Sequence, residues 1–276
     1  MLPTPSTSHV SFDTIYEPAE DSFLLLDTLS SASETTWLRA HFGLTASACG
    51  TAPAPTTVTL LEVGTGSGVV IAFLTANAAA IFGTQEIPIL SLGVDVNSNA
   101  CTATSQTVSR AVVESGSKAI YLGSICADLC STIRSGSVDV LVFNPPYVPT
   151  VEVPTLPSPS PVSASPSTSF KQDKYATESH LLSLSYAGGR DGMETTDRLL
   201  MQIPDILSSK GVAYVLLCKQ NRPEEVKARI RAWDRDQNGG SHGEKWCAET
   251  VGTSGKTAGW EKLEIVRIWR EMGSGR

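Results

Sequence analysis

Four consecutive residues, Asn144-Pro145-Pro146-Tyr147, have types and spacing that suit one particular transfer. The nitrogen of an amide or exocyclic amine is a poor nucleophile, because its lone pair is delocalised into a carbonyl or a ring. A site helps by accepting both N–H hydrogens. Here the Asn144 side-chain carbonyl is one acceptor and the Pro145 backbone carbonyl a second. Proline has fixed φ and no N–H, so Pro145 and Pro146 stiffen the turn. Tyr147 offers a ring face to a flat group. An electrophilic methyl placed in line is then taken by the nitrogen as its leaving group departs, and no base is needed beforehand because an alkylated amide nitrogen sheds its proton readily. Catalysis of this kind is positioning and electrostatic preorganisation.

A second constellation lies upstream. Glu62-Val63-Gly64-Thr65-Gly66-Ser67-Gly68 places glycines at alternate positions after an acidic residue. Glycines let a backbone approach a ligand closely and adopt positive φ. A dinucleotide fingerprint would need a further glycine where Val69 stands, so the loop is not that motif. Asp95 closes Leu92-Gly93-Val94-Asp95, with Val96 next, and its carboxylate suits a pair of ribose hydroxyls. Asp128-Leu129 follows a third apolar run.

The elements that must carry these residues alternate. Val58–Val63, Ile89–Asp95, Ala119–Leu122, Val138–Phe143, Val212–Cys218 and Leu263–Arg270 read as strands. Helices are expected at Phe23–Leu29, Val69–Ala80, Ser98–Glu114, Leu181–Ala187, Thr195–Leu207 and Pro223–Trp233, with Trp37–Phe42 extending or following the first. Lys210-Gly211 reads as a helix end. Residues 1–13 read as loose, and Asn238–Gly259 as a Gly/Ser/Thr-rich stretch. This alternation predicts an α/β fold with a parallel sheet covered on both faces. Ligands bind such sheets beyond the strand carboxyl ends, where all three candidate constellations fall. The chain is expected to be one domain over 1–276, with loop or disordered insertions at 46–57 and 151–169; the second carries five prolines.

Net charge is −7, and the lysines and arginines form no basic stripe, which argues against nucleic acid as a partner. The cluster Lys227–Arg235 reads as a solvated helix face. Six cysteines lack zinc spacing, so no metal site is expected, and free thiols point to the cytoplasm. Met1–His9 does not read as a signal peptide, and no apolar run is long enough to span a membrane.

Four segments also resemble the HemK-like glutamine methyltransferases, in the eukaryotic and archaeal branch that modifies a translation termination factor. They are Tyr16–Asp27, Leu61–Val70, Leu141–Val148 and Ala187–Gly192. The resemblance implies a Rossmann-like class I methyltransferase fold, with a seven-stranded, doubly wound sheet whose last strand is antiparallel. It implies S-adenosyl-L-methionine as cofactor and S-adenosyl-L-homocysteine as product. Tyr16, Ser22, Glu62, Gly64, Thr65, Gly66, Gly68, Asp95, Val96, Asp128, Leu129 and Asn144 then become cofactor contacts, Asp128 meeting the adenine amino group and Leu129 its ring. The implied acceptor is the glutamine of a Gly-Gly-Gln motif in a class 1 peptide release factor. The implied partner is a small zinc-binding activator subunit, for which the third strand is a plausible docking edge. The nucleus is a second compartment open to such a protein. An N6-adenine nucleic-acid methyltransferase uses the same tetrad and stays open as an alternative, as does methylation of a histone lysine.

Overall fold

The computed structural model describes residues 2–44, 57–83, 87–156, 170–233, 244–254 and 262–272. Seven strands form one sheet in the order β3-β2-β1-β4-β5-β7-β6. They are β1 Val58–Val63, β2 Ile89–Asp95, β3 Ile120–Cys126, β4 Val138–Phe143, β5 Leu207–Cys218, β6 Glu244–Thr253 and β7 Leu263–Met272. The β1–β2, β1–β4, β2–β3 and β4–β5 pairs are parallel, whereas β7 runs antiparallel to both β5 and β6. The seven-stranded sheet with an antiparallel last strand is therefore present. Strand order reverses between β1 and β4, whose last residues Val63 and Phe143 are paired. A crevice opens at such a switch point.

Helices α1 (Glu20–Ser30), α2 (Ala32–His41), α3 (Val69–Ala76), α4 (Ala78–Phe82), α5 (Ser98–Ser115), α6 (Phe170–Ser183), α7 (Glu194–Ile206) and α8 (Pro223–Ile230) complete the fold. Their ends follow local chemistry. The Ser31 hydroxyl caps α2 by accepting the Glu34 N–H, and the Asn97 side chain caps α5 by accepting the Asn99 N–H. Gly116 ends α5 in the left-handed conformation. Pro223 occupies the first turn of α8, where a missing N–H costs nothing. Two large apolar clusters and a small one form the core among the described residues. One of the large clusters gathers α1, α2 and α3 around Tyr214 and Phe73; the other gathers α7 and α8 around Phe143 and Val266.

Several expectations need correction. The helix expected over 69–80 is two pieces that meet at Asn77, whose φ of −103° and ψ of 16° depart from helical values. Helix α7 stops at Ile206 and β5 begins at Leu207, so Lys210-Gly211 lies inside a strand. The stretch 238–259 contains β6, whose alternate residues Trp246 and Ala248 are buried. Residues 2–13 are not loose: Val10 is buried with Ile15 against Ala100 and Ala103, the Asn77 side chain donates to the Pro3 carbonyl, and His9 Nε2 meets the Thr107 hydroxyl. Lys227 is buried rather than solvated, donating to Glu224 and to the Thr250 hydroxyl. The 46–56 part of the first expected insertion and the 157–169 part of the second lie outside the described residues.

Candidate active site

Strand β1 delivers the glycine loop to the switch point. The Gly64 and Thr65 N–H groups both donate to the Val94 carbonyl, so the loop turns against the end of β2. Gly64, Gly66 and Gly68 all have positive φ, at 67°, 51° and 78°. The Glu62 carboxylate accepts the Ile71 N–H at 2.9 Å, inside the first turn of α3. It thereby supplies an acceptor to a helix start that has no side-chain cap of its own. Burial drives the Glu62 carboxyl well above its usual range; the Ile71 bond opposes this and nearby Asp95 adds to it.

Asp95 closes β2 and is almost fully buried. One oxygen accepts the Gly66 N–H at 2.9 Å and the other the Asn97 N–H at 2.8 Å. Burial raises this carboxyl too, against those backbone bonds. The two N–H groups fix the carboxylate plane and leave each oxygen further acceptor capacity. A vicinal diol, which can donate two hydrogen bonds, fits that pair of acceptors.

Asn144 follows β4. Its Nδ2 donates to Asp21 Oδ2 at 3.1 Å, and its buried Oδ1 has no hydrogen-bond partner among the described residues. An unpartnered buried carbonyl is costly unless a ligand satisfies it.

These groups share one cavity of about 220 Å³. It is lined by the candidates Tyr16, Ser22, Glu62, Gly64, Thr65, Gly66, Asp95, Val96, Asp128, Leu129, Asn144 and Pro146. Gly68, Pro145 and Tyr147 are not among the lining residues. Gly68 has a packing reason instead: a Cβ there would lie 2.6 Å from the Thr104 Cα of α5. Tyr147 is half-buried against the larger core cluster, and its carbonyl accepts from Asn221 Nδ2 at 3.2 Å. Asp128 pairs with Arg198 of α7, a residue that also lines the cavity.

Sequence reasoning missed Asp21, Arg198 and Asn221. Asp21 stands next to Ser22 in an already conspicuous segment, so its neighbour was the available signal. Asn221 carries no such signal. It is buried and donates to the Tyr147, Asp191 and Gly192 carbonyls, tying the tetrad to the Ala187–Gly192 segment. That segment packs directly behind the tetrad. Added Cβ atoms at Gly188 and Gly192 would sit 2.3 Å from the Pro146 carbonyl oxygen and 1.9 Å from that of Tyr147. Gly188 N–H also donates to the Val148 carbonyl, and Val148 N–H to that of Tyr186.

No protein-family model matches the chain. Among curated proteins, human methyltransferase HEMK2 is 34% identical over 229 residues, covering 81% of this chain and 82% of that protein. The eRF1 methyltransferase catalytic subunit mtq2 of Schizosaccharomyces pombe is 30% identical over 275 residues, covering 98% and 96%. A Methanocaldococcus jannaschii protein, proposed to be a protein N5-glutamine methyltransferase, is 28% identical over 217 residues, covering 79% of each.

Proposed function

The chain belongs to the HEMK2 family of methyltransferases, and from that premise we propose that it methylates the side-chain amide nitrogen of a glutamine in a class 1 translation release factor, at its Gly-Gly-Gln motif. The observation that carries this reading is the buried Asn144 Oδ1, without a partner among the described residues, beside a cavity lined by the glycine loop. Two relatives support the acceptor by name: one acts on eRF1, and the other is proposed to act on glutamine N5.

S-adenosyl-L-methionine would supply an electrophilic methyl on sulfonium. The residues present fit it: Asp95 would accept from the ribose hydroxyls, Val96 and Leu129 would flank the adenine, and Gly64–Gly66 would admit the amino-acid end. Asp128, already paired with Arg198, would accept from the adenine amino group. Asn144 Oδ1 would take one acceptor N–H; the Pro145 carbonyl, which does not line the cavity as it stands, would take the other once it turns toward the acceptor. Together they hold the NH2 plane and leave its lone pair facing the methyl. Ser22 and Tyr16 close the same cavity from the N-terminal side.

A small zinc-binding activator as second subunit forms part of this proposal. The name of mtq2, a catalytic subunit, supports a partner, and the exposed edge of β3 offers it a strand to extend. The cytoplasm, with access to the nucleus, is the proposed compartment. Mass spectrometry of release factor after incubation with enzyme, activator and cofactor tests the reading. One added methyl on the Gly-Gly-Gln glutamine is expected, and on the order of 100-fold less with Asn144→Ala. Methyl transfer to DNA adenine or to a histone lysine, with none to glutamine, would replace it.

A further inference from the structure

We infer that Asp21 is a positioning residue that sets which end of the Asn144 amide meets the acceptor nitrogen; this rests on the methyl-transfer reading above. The two residues are 123 positions apart in sequence and meet at the cavity wall. Asp21 stands in the first turn of α1 and is 4% exposed. Its Oδ1 accepts the Ser22 N–H at 2.6 Å and the Ser22 hydroxyl at 3.2 Å. Its Oδ2 accepts Asn144 Nδ2 at 3.1 Å. Both oxygens are thus held, and the carboxylate cannot swing away without losing a partner.

An ionised carboxylate only accepts hydrogen bonds, whereas the two ends of an Asn amide differ. Facing Asp21, Asn144 must present Nδ2. Rotated by half a turn, it would set carbonyl oxygen against carboxylate oxygen and bury an unpaired NH2. Asp21 therefore selects the rotamer in which Oδ1 is the free end, and Oδ1 is the atom left without a partner among the described residues. A planar NH2 acceptor needs a carbonyl there, and a flipped amide would offer it a donor. The plainer role for an acidic residue in a first helical turn is to complement the helix dipole. Exposed Glu20 already does that, and the dipole gives no reason to bury Asp21.

The test compares Asp21→Ala, Asp21→Asn, Asn144→Ala and the Asp21→Ala/Asn144→Ala double variant, each as full chain with its activator. Turnover on a Gly-Gly-Gln release factor and cofactor Kd are measured together. Asp21→Ala is expected to lower kcat on the order of 100-fold, as misplacement of a group in the site does, with a much smaller change in cofactor Kd. The double variant should be no slower than Asn144→Ala alone, since one group acts through the other. Asp21→Asn has one accepting end where Ser22 N–H and Asn144 Nδ2 both donate, so it should recover little of the lost rate. Wild-type kcat in Asp21→Ala, or losses that multiply in the double variant, would overturn the inference.

A readout independent of turnover separates this inference from the functional reading. The Asn144 side-chain NH2 signals, assigned by their loss in Asn144→Ala in 15N spectra, should exchange slowly with solvent in wild type and fast in Asp21→Ala. Equal exchange in both would sink the positioning role whatever the substrate is. Slow exchange lost in Asp21→Ala, with no glutamine methylation by wild type, would leave it standing and refute the acceptor instead.

Discussion

At Asp95 the fold holds a carboxylate where water cannot solvate it, and two backbone N–H groups take over part of that task. The residue titrates above its ordinary range because burial outweighs those bonds. Its ionised form is the one that accepts from a diol. Cofactor affinity is therefore expected to fall as pH drops through the raised value, and Asp95→Asn should flatten that dependence; calorimetric titration at several pH values checks both. For the free chain the sign is opposite. A folded-state pKa raised above the unfolded value contributes stability that is present at low pH and is lost as pH climbs through it. Glu62 and Asp95 both act this way, so the thermal shift produced by cofactor should grow from acid toward neutral pH. Asp95, Glu62 and Asn144 were legible in the sequence because each combines a telling residue type with a strand's carboxyl end. Asp21 and Asn221 were not, because their partners lie 123 and 74 residues away in the chain.

Between elements, glycine sets how closely segments approach. Gly68 both opens α3 with positive φ and lets it lie against Thr104 of α5. Gly68→Ala should cost about 1–3 kcal/mol by overpacking, read as a shifted denaturation midpoint, with more lost if α5 cannot give way. Gly192→Ala forces a Cβ against the Tyr147 carbonyl. It should depress turnover more than it depresses cofactor affinity, since the tetrad moves while the glycine loop stays; comparing kcat with Kd shows this. The alternating strands and helices were readable because buried parallel strands are continuous apolar runs. Strand β6 was not: with one flank exposed, its Ala, Thr and Gly residues give little apolar signal, and pairing with β7 supplies what its sequence lacks. The N-terminal strap escaped for the same reason. Its few apolar residues, Val10 and Ile15, gain their meaning from Ala100 and Ala103 on a distant helix.

Among the described residues the sheet ends at two edge strands, β3 and β6. On β3, Ile120 and Leu122 are exposed at 51% and 55%, and Val113 of α5, which packs on β3, is also exposed. A strand edge carrying apolar side chains is prone to association unless a partner covers it. Replacing Ile120 and Leu122 by Lys should raise the solubility of the chain expressed alone and abolish co-purification with the proposed activator. Unchanged co-purification would move the interface elsewhere. The account rests most heavily on the proposed acceptor, a planar nitrogen that the Asn144 carbonyl suits and that the names of two relatives support. The direct measurement is peptide mapping by mass spectrometry of release factor treated with the chain, its activator and S-adenosyl-L-methionine. A single methyl on the Gly-Gly-Gln glutamine, lost with Asn144→Ala, is the predicted result. An unmodified glutamine under conditions where the same preparation methylates adenine or lysine would contradict it.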